Sequence, residues 1–114
     1  MGFNVEQWAD VCAVEDIPLR GARVVKTPAG CVALFRTFDG AVFALDDRCP
    51  HKGGPLSQGI VHARAVTCPL HGWVISLDTG RAQAPDKGAV RTRRAQVVDG
   101  RVRLLVAGAD AAAE

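Results

Sequence analysis

Short runs of hydrophobic residues, separated by residues that favour turns, extend along most of the chain. Residues 22–26, 31–36 and 41–45 contain β-branched or aromatic side chains, and each run has the length of a strand. The dipeptide Asp39-Gly40 stands between the second and third runs and is typical of a tight β-hairpin turn. The pattern therefore predicts antiparallel strands in the first half of the chain.

The second half of the chain continues in the same way. Residues 65–67, 73–77, 96–98 and 101–106 also have strand-like composition, and an Asp-Gly dipeptide joins the last two runs. No stretch shows the 3.6-residue periodicity of an amphipathic helix, and no internal repeat covers the chain. Because many short strands alternate with turns, the predicted fold class is all-β, an antiparallel sandwich or small barrel.

Length and composition indicate one domain. The chain has 114 residues, of which 48% are hydrophobic, enough for one core of ordinary size. We expect residues 1–106 to form this domain. Residues 107–114, AGADAAAE, are of low complexity, and we expect a disordered C-terminal tail there.

Charge and hydropathy argue against two classes of partner. The formal net charge is +2, which is too weakly basic to indicate nucleic acid or a membrane surface. The first residues lack the basic and apolar regions of a signal peptide, and no apolar run has the length of a membrane span. We therefore expect a cytoplasmic protein that binds neither nucleic acid nor membrane.

Cysteine and histidine occur together twice, as Cys49-Pro-His51 and as Cys68-Pro-Leu-His71. Residues 46–60 around the first pair are rich in glycine and proline and are predicted to form a loop, and the second pair lies in a predicted turn. Two loops could therefore present two Cys–His pairs to one site. In a reducing compartment such spacing is more typical of a metal site than of disulfides.

Two kinds of metal group could use this ligand set. Two cysteines and two histidines are an ordinary set for structural zinc, but zinc sites usually pair like ligands two to four residues apart. Here each loop mixes the two types. This suits a [2Fe–2S] cluster in which each loop gives its cysteine to one iron and its histidine to the other. Replacing thiolates by neutral imidazoles removes negative charge and so raises the reduction potential.

The four residues resemble the Rieske signature in their order and in the spacing within each loop: Cys49, His51, Cys68 and His71. The segments DDRCPHKGGPLSQGIV, VTCPLHGWVISLDTG and APDKG resemble the small subunit of assimilatory NAD(P)H nitrite reductase. The upstream segments WADVCAVEDIP and ALFRTFDGAVFALDD fit the same family. The resemblance covers residues 8–106, nearly the whole chain.

The resemblance implies a Rieske-type antiparallel β-sandwich or barrel, with the two cluster-binding loops at one tip and one [2Fe–2S] cluster per chain. It also implies a large partner subunit with flavin and sirohaem that reduces nitrite to ammonia with NADH or NADPH. This chain would then be the electron-transfer subunit and would catalyse no reaction alone. Two alternatives remain open, namely the Rieske ferredoxin component of a multicomponent oxygenase and a structural zinc module that binds a partner.

Several neighbouring residues are predicted to support the cluster rather than bind it. Gly53, Gly54 and Gly72 would allow backbone N–H groups to approach the bridging sulfides, and they also suit turns. Trp73 lies two residues after His71 and is expected to shield the cluster. By resemblance, Pro85 would lie in a third loop that covers the cluster.

The remaining notable side chains have structural interpretations. Cys12 and Cys31 are predicted to be small buried core residues, and Trp8 and Trp73 to be core anchors. His62 has no Cys neighbour and is interpreted as a surface or supporting residue, not a ligand. The end of the chain is also rich in arginine: Arg91, Arg93, Arg94, Arg101 and Arg103. This arginine face is either a solvated surface or a docking surface for an acidic partner.

High-potential Rieske proteins of respiratory chains resemble this chain in the ligands and differ around them. They have an extra cysteine in each cluster loop, joined as a disulfide, and Ser and Tyr hydroxyls that bond to sulfur. Here the corresponding loop positions are Gly54, Leu70 and Trp73, and the chain contains no tyrosine. The comparison predicts a potential in the lower part of the Rieske range.

Overall fold

The computed structural model describes residues 7–28, 30–49, 54–70 and 72–107. Within these ranges the regular structure is strand and 3₁₀ turn, without an α-helix. The strands are β1 (Gln7–Ala13), β2 (Gly21–Thr27), β3 (Gly30–Arg36), β4 (Val42–Asp46), β5 (Ile60–His62), β6 (Ala65–Thr67), β7 (Val74–Ser76), β8 (Thr92–Arg93), β9 (Ala95–Val98) and β10 (Arg101–Ala107). The predicted disordered tail, residues 107–114, begins one residue too early, because Ala107 is the last residue of β10, and residues 108–114 lie outside the described residues.

The strands form three antiparallel sheets. The first has the order β1-β10-β9, the second β2-β3-β4-β8 and the third β5-β6-β7. This architecture confirms the predicted all-β antiparallel fold class. In the described part of the chain, no helix is long and apolar enough to cross a membrane.

Both predicted hairpin turns are present. Between β3 and β4, Gly40 has φ of 84°, and its N–H donates to the Thr37 carbonyl at 2.9 Å. Between β9 and β10, Asp99 and Gly100 have φ of 52° and 77°. Positive φ at both central residues is the geometry that an Asp-Gly dipeptide favours in a two-residue hairpin.

Strand β3 is buried on both faces because it separates two hydrophobic cores. Val32 and Leu34 point into the first core, with Val102 of β10. Ala33 and Phe35 point into the second core. Successive residues of a strand face opposite sides, so a continuous apolar run such as this one fits a strand between two layers. The second core, which also contains Cys49 and Cys68, is called the cluster core below.

The structure corrects several predictions of strands and loops. Strands β1, β5 and β8 were absent from the predicted pattern, since β1 mixes polar and half-buried residues and the other two are very short. Residues 46–60 are not loop throughout. Asp46 ends β4, a 3₁₀ turn spans Leu56–Gln58, and β5 begins at Ile60.

The burial of Cys31 was predicted wrongly. Cys31 is exposed near the start of β3, opposite Lys26 of β2 and just before the buried run of that strand begins. Cys12 is buried, as predicted, with an exposed fraction of 3%. Trp73 is half-buried against the cluster core. Trp8 is also half-buried, and the guanidinium carbon of Arg94 lies 5.4 Å from the centre of its ring.

Candidate metal centre

The two cysteines predicted as ligands share one apolar environment. Cys49 and Cys68 have exposed fractions of 2% and 3%, and both belong to the cluster core together with Leu56, Val66 and Ile75. Neither cysteine forms a disulfide. Two cysteine sulfurs, buried in the same core and carried by different loops, fit a group that binds soft ligands.

The two histidines of the predicted ligand set, His51 and His71, lie outside the described residues, as does Gly53. Among the residues that the structure describes, no group of three or more His, Cys, Asp or Glu side chains is placed to hold a metal ion. The structure therefore brings together the sulfur half of the predicted site, and the imidazole half stays a prediction.

The first loop begins where β4 ends and returns to the core through a 3₁₀ turn. Inside it, the N–H of Cys49 donates to the carbonyl of Gly54 at 2.7 Å, which closes the loop between these two residues. Leu56, fully buried in the cluster core, anchors the returning arm. The backbone bond and the buried leucine together hold the described parts of the first loop against the cluster core.

The second loop is a tight connection between β6 and β7. The N–H of Cys68 donates to the carbonyl of Trp73 at 2.7 Å, and the N–H of Gly72 donates to the carbonyl of Cys68 at 3.1 Å. Gly72 has φ of 72°, a left-handed conformation that favours glycine. The predicted turn is therefore present, and Gly72 has a structural reason to be glycine.

The two loops touch each other at Gly54. A Cβ atom at this position would lie 2.5 Å from Cδ1 of Leu70 and 3.9 Å from Sγ of Cys68. Gly54 is itself buried. The first loop therefore passes close to the sulfur of the second loop, where only a residue without a side chain fits.

The other two supporting residues differ in their surroundings. Trp73 packs against the cluster core, to which the two buried cysteines belong. Pro85 is exposed, in a turn closed by the Asp86 N–H and the Gln83 carbonyl at 3.1 Å, and its peptide bond with the preceding residue is cis. The N–H of Gln83 also donates to Val74 at the start of β7, at 2.8 Å. This bond attaches the Pro85 segment beside the second loop, and its role over the cluster stays a prediction.

His62 and the arginine-rich end of the chain take part in local contacts. His62 is exposed, and its Nε2 atom lies 2.7 Å from Oγ1 of Thr67, which agrees with a surface role. Arg93, with only 4% of its side chain exposed, donates to Asp46 at 2.8 Å. Arg101 donates to Asp10 through two nitrogens.

Three arginines of this face therefore bind groups of the chain itself, since Arg94 lies over Trp8 as described above. These contacts give Arg93, Arg94 and Arg101 a role within the fold, which neither interpretation of the arginine face included. Their partners lie far away in the sequence, 47 residues for Arg93 and 91 for Arg101, so no local pattern indicated them.

A family profile for the Rieske [2Fe-2S] domain matches residues 7–94 of the chain. Among curated relatives, the ferredoxin subunit of 3-phenylpropionate/cinnamic acid dioxygenase from Photorhabdus laumondii is 41% identical over 99 residues, which cover 84% of this chain and 91% of that protein. Oxidoreductase NdmD of Pseudomonas putida is 32% identical over 78 residues, which cover 68% of this chain and 13% of that protein.

Solved structures also match the chain over most of its length. A chain from Mycobacterium tuberculosis assigned as an NADH-dependent nitrite reductase small subunit superimposes with a TM-score of 0.79, at 30% identity, and the match covers 88% of this chain and 95% of that one.

Proposed function

The chain belongs to the Rieske [2Fe–2S] family, and from this premise we propose that it is an electron carrier with Cys49 and Cys68 on one iron and His51 and His71 on the other. The bound cluster supplies the reversible uptake of a single electron. The observation that supports the sulfur ligands is the burial of two cysteines in one core, on two loops that touch. A structural zinc module, one of the two alternatives, does not agree with membership of a [2Fe–2S] family.

The residues around the two cysteines give the site a buried side and an exposed side. The cluster core excludes water from the sulfur atoms, which favours a metal group of low net charge. On the other side, Pro69, Leu70 and Gly72 of the second loop are exposed, with 53% of Leu70 accessible. We expect electrons to enter and leave through this surface, because the predicted ligand His71 stands between Leu70 and Gly72 in the sequence.

The physiological role that we propose is the electron-transfer subunit of NAD(P)H-dependent nitrite reductase. Its support is the resemblance of the segments around both loops to that family, together with the 30% identity to the chain from Mycobacterium tuberculosis that is assigned as such a small subunit. In this role the partner is a large subunit with flavin and sirohaem that reduces nitrite to ammonia in the cytoplasm. The catalytic step belongs to that subunit, and the present chain transfers or tunes electrons.

A second candidate role is the ferredoxin component of a multicomponent oxygenase. The observation in its favour is the 41% identity to a dioxygenase ferredoxin subunit, of which the match covers 91%. The two roles use the same centre and differ in the protein that accepts the electron.

Growth on nitrite separates the two roles. In the organism that carries the chain, a strain lacking it should not grow with nitrite as the only nitrogen source and should grow normally with ammonium. The wild-type chain and a Cys31→Ser variant should restore growth, because the Cys31 side chain is exposed and is not one of the proposed ligands. A Cys49→Ser variant should not restore it.

Two other outcomes would change the assignment. Normal growth of the deletion strain on nitrite, with loss of growth on an aromatic acid as carbon source, would favour the oxygenase ferredoxin. Restoration of nitrite growth by Cys49→Ser would mean that the chain acts in the complex without its cluster.

A further inference from the structure

Asp47 and Ser57 join the two arms of the first loop. The N–H of Ser57 donates to Oδ1 of Asp47 at 2.8 Å, and the hydroxyl of Ser57 donates to Oδ2 at 2.9 Å. One carboxylate therefore receives two hydrogen bonds from one residue, ten positions further along the chain. Bonds to an ionised acceptor are about twice as strong as those between neutral groups.

We propose that Asp47 and Ser57 form a clamp that positions the first cluster-binding loop and so holds the cluster in the protein. The proposal rests on the assignment of Cys49 and His51 as ligands in the proposed function. It makes Asp47 and Ser57 positioning residues, which act through the loop that they close.

The carboxylate of Asp47 supplies an acceptor that the 3₁₀ turn at Leu56–Gln58 lacks. The first N–H groups of such a turn have no partner within it. The preceding residue, Pro55, provides no side-chain cap. The N–H of Ser57 lies in this first turn, and Asp47 accepts its hydrogen bond from the opposite arm. The clamp therefore stabilises the 3₁₀ turn of the returning arm, and it also joins the two arms of the loop.

Both arms of the first loop are fixed at their outer ends. The N–H of Asp47 donates to the carbonyl of Cys31 at 3.1 Å, and the preceding Asp46 pairs with Arg93. On the other arm, Leu56 is buried in the cluster core beside Ser57. Both residues of the clamp therefore lie beside anchored residues. We expect a change in the clamp to shift Cys49, which is two residues from Asp47.

The clamp encloses the part of the first loop that contains the proposed ligands Cys49 and His51. The bond between the Cys49 N–H and the Gly54 carbonyl closes an inner ring, and the clamp closes a wider ring around it. Without the outer closure, the two arms can separate while the sheets remain folded. We therefore expect loss of the clamp to accelerate release of the cluster more than it lowers the stability of the cluster-free fold.

The test compares clamp variants with a matched control in the holoprotein. The variants are Asp47→Ala, Asp47→Asn, Ser57→Ala and Ser57→Thr. The control is Asp10→Ala, which removes another carboxylate that accepts two hydrogen bonds, in this case from Arg101 on the first sheet. Release of the cluster to an iron chelator is followed anaerobically by visible absorbance. Electron paramagnetic resonance of the reduced cluster and thermal unfolding of the cluster-free chain are also measured.

The clamp predicts a graded response. Asp47→Ala should release the cluster about tenfold faster or more, because it removes two bonds to a charged group. Asp47→Asn and Ser57→Ala should show intermediate rates, since each keeps one acceptor–donor pair. Ser57→Thr, which retains the hydroxyl, should be close to the wild type. Asp47→Ala should also alter the resonance line shape of the retained cluster, which a loss of fold stability alone would not do.

Three results would contradict the clamp or its premise. Release from Asp47→Ala within about twofold of the wild-type rate would overturn the clamp, because an ordinary surface substitution has effects of that size. Equally fast release from Asp10→Ala would reduce Asp47 to a contributor to general stability. A wild-type chain that binds no [2Fe–2S] cluster would overturn the ligand assignment itself.

Discussion

Leu70 of the second loop lies directly against Gly54 of the first loop. A Cβ atom on Gly54 would stand 2.5 Å from Cδ1 and 2.9 Å from Cγ of Leu70, well inside the normal separation of two carbon atoms. The same Cβ would lie 3.9 Å from Sγ of Cys68. The fit of one loop on the other therefore depends on the missing side chain at residue 54, and this contact helps to set how the two buried cysteines are placed.

A methyl group at Gly54 should disturb both loops. We expect Gly54→Ala to destabilise the holoprotein by about 1–3 kcal/mol, a usual effect of overpacking. Because 53% of Leu70 is exposed, Leu70→Ala alone should cost less than about 1 kcal/mol and should relieve most of the clash when combined with Gly54→Ala. Thermal unfolding and iron content measure these effects. If the double variant were as unstable as Gly54→Ala, another contact of Gly54 would have to be responsible.

Substitution of a proposed ligand should remove the cluster without unfolding the chain. We expect Cys49→Ser, His51→Ala, Cys68→Ser and His71→Ala each to lose most of the iron and sulfide after anaerobic purification, because a hard or absent donor replaces a ligand. Iron and sulfide analysis, with circular dichroism for the fold, provides the measurement. Full iron content in any one of the four would remove that residue from the ligand set.

The other two cysteines should retain the cluster and should differ from each other in stability. Cys12 is buried, and burial raises the pKa of its thiol, so Cys12→Ser should cost about 1–3 kcal/mol by placing a hydroxyl in the core. Cys31 is exposed, and Cys31→Ser should be close to neutral. Urea unfolding of both variants tests the contrast. Equal destabilisation by the two changes would contradict the burial described for Cys31.

The positions of these cysteines illustrate how far the sequence could predict the structure. The Asp-Gly turns and the continuous apolar run of β3 are local signals, and the strands that they predict are present. Burial at the beginning of a strand depends on where the neighbouring layers end, which no local pattern states. Cys31 therefore looked like the rest of β3 in sequence but lies outside the two cores.

In the candidate site, too, some features follow from local sequence patterns and others arise only when the chain folds. Cys49 and Cys68 could be predicted because ligand chemistry requires particular residue types at short spacing. The contact of Gly54 with Leu70, and the bonds between Asp47 and Ser57, join positions whose neighbourhood arises only when the loops fold. Ordinary residues such as serine and leucine carry no sign of these contacts in the sequence.

Two exposed carboxylates give stability a dependence on pH. The pKa of Asp10 is below its ordinary value mainly because Arg101 donates a hydrogen bond to it, and the pKa of Asp39 is lowered first by the hydroxyl of Thr37. A carboxyl with a depressed folded-state pKa stabilises the fold fully above its unfolded pKa, and this stabilisation is lost as pH falls through the folded value. Solvent screening keeps each contribution small.

The pH effect is measured as a difference between variants. The unfolding free energy of the wild type minus that of Asp10→Asn, from urea titrations, should be positive at neutral pH and should shrink towards zero in acid. Asp39→Asn should behave in the same way. Asp78→Asn, at an exposed position, is the control for the change of charge alone. A difference that grew as the pH fell would reverse the sign and contradict the argument.

The last prediction concerns the reduction potential and follows from the groups near the two cysteines. The positions that carry a disulfide in high-potential Rieske proteins are here Gly54 and Leu70, which contact each other without a covalent link. Trp73, which packs against the cluster core, has no hydroxyl, and the chain contains no tyrosine. Because hydrogen bonds to sulfur stabilise the reduced state, we expect a midpoint of roughly −150 to 0 mV.

A pair of variants isolates the effect of one hydroxyl on this potential. Trp73→Ser and Trp73→Ala both remove the ring that packs on the cluster core and differ by a single hydroxyl group. One hydrogen bond to sulfur is worth about 1 kcal/mol, so the serine variant should have a midpoint roughly 40–60 mV above that of the alanine variant. Protein-film voltammetry gives both values. Equal midpoints would show that the side chain of residue 73 does not reach the sulfur atoms. A wild-type midpoint above about +150 mV would mean that other donors raise the potential.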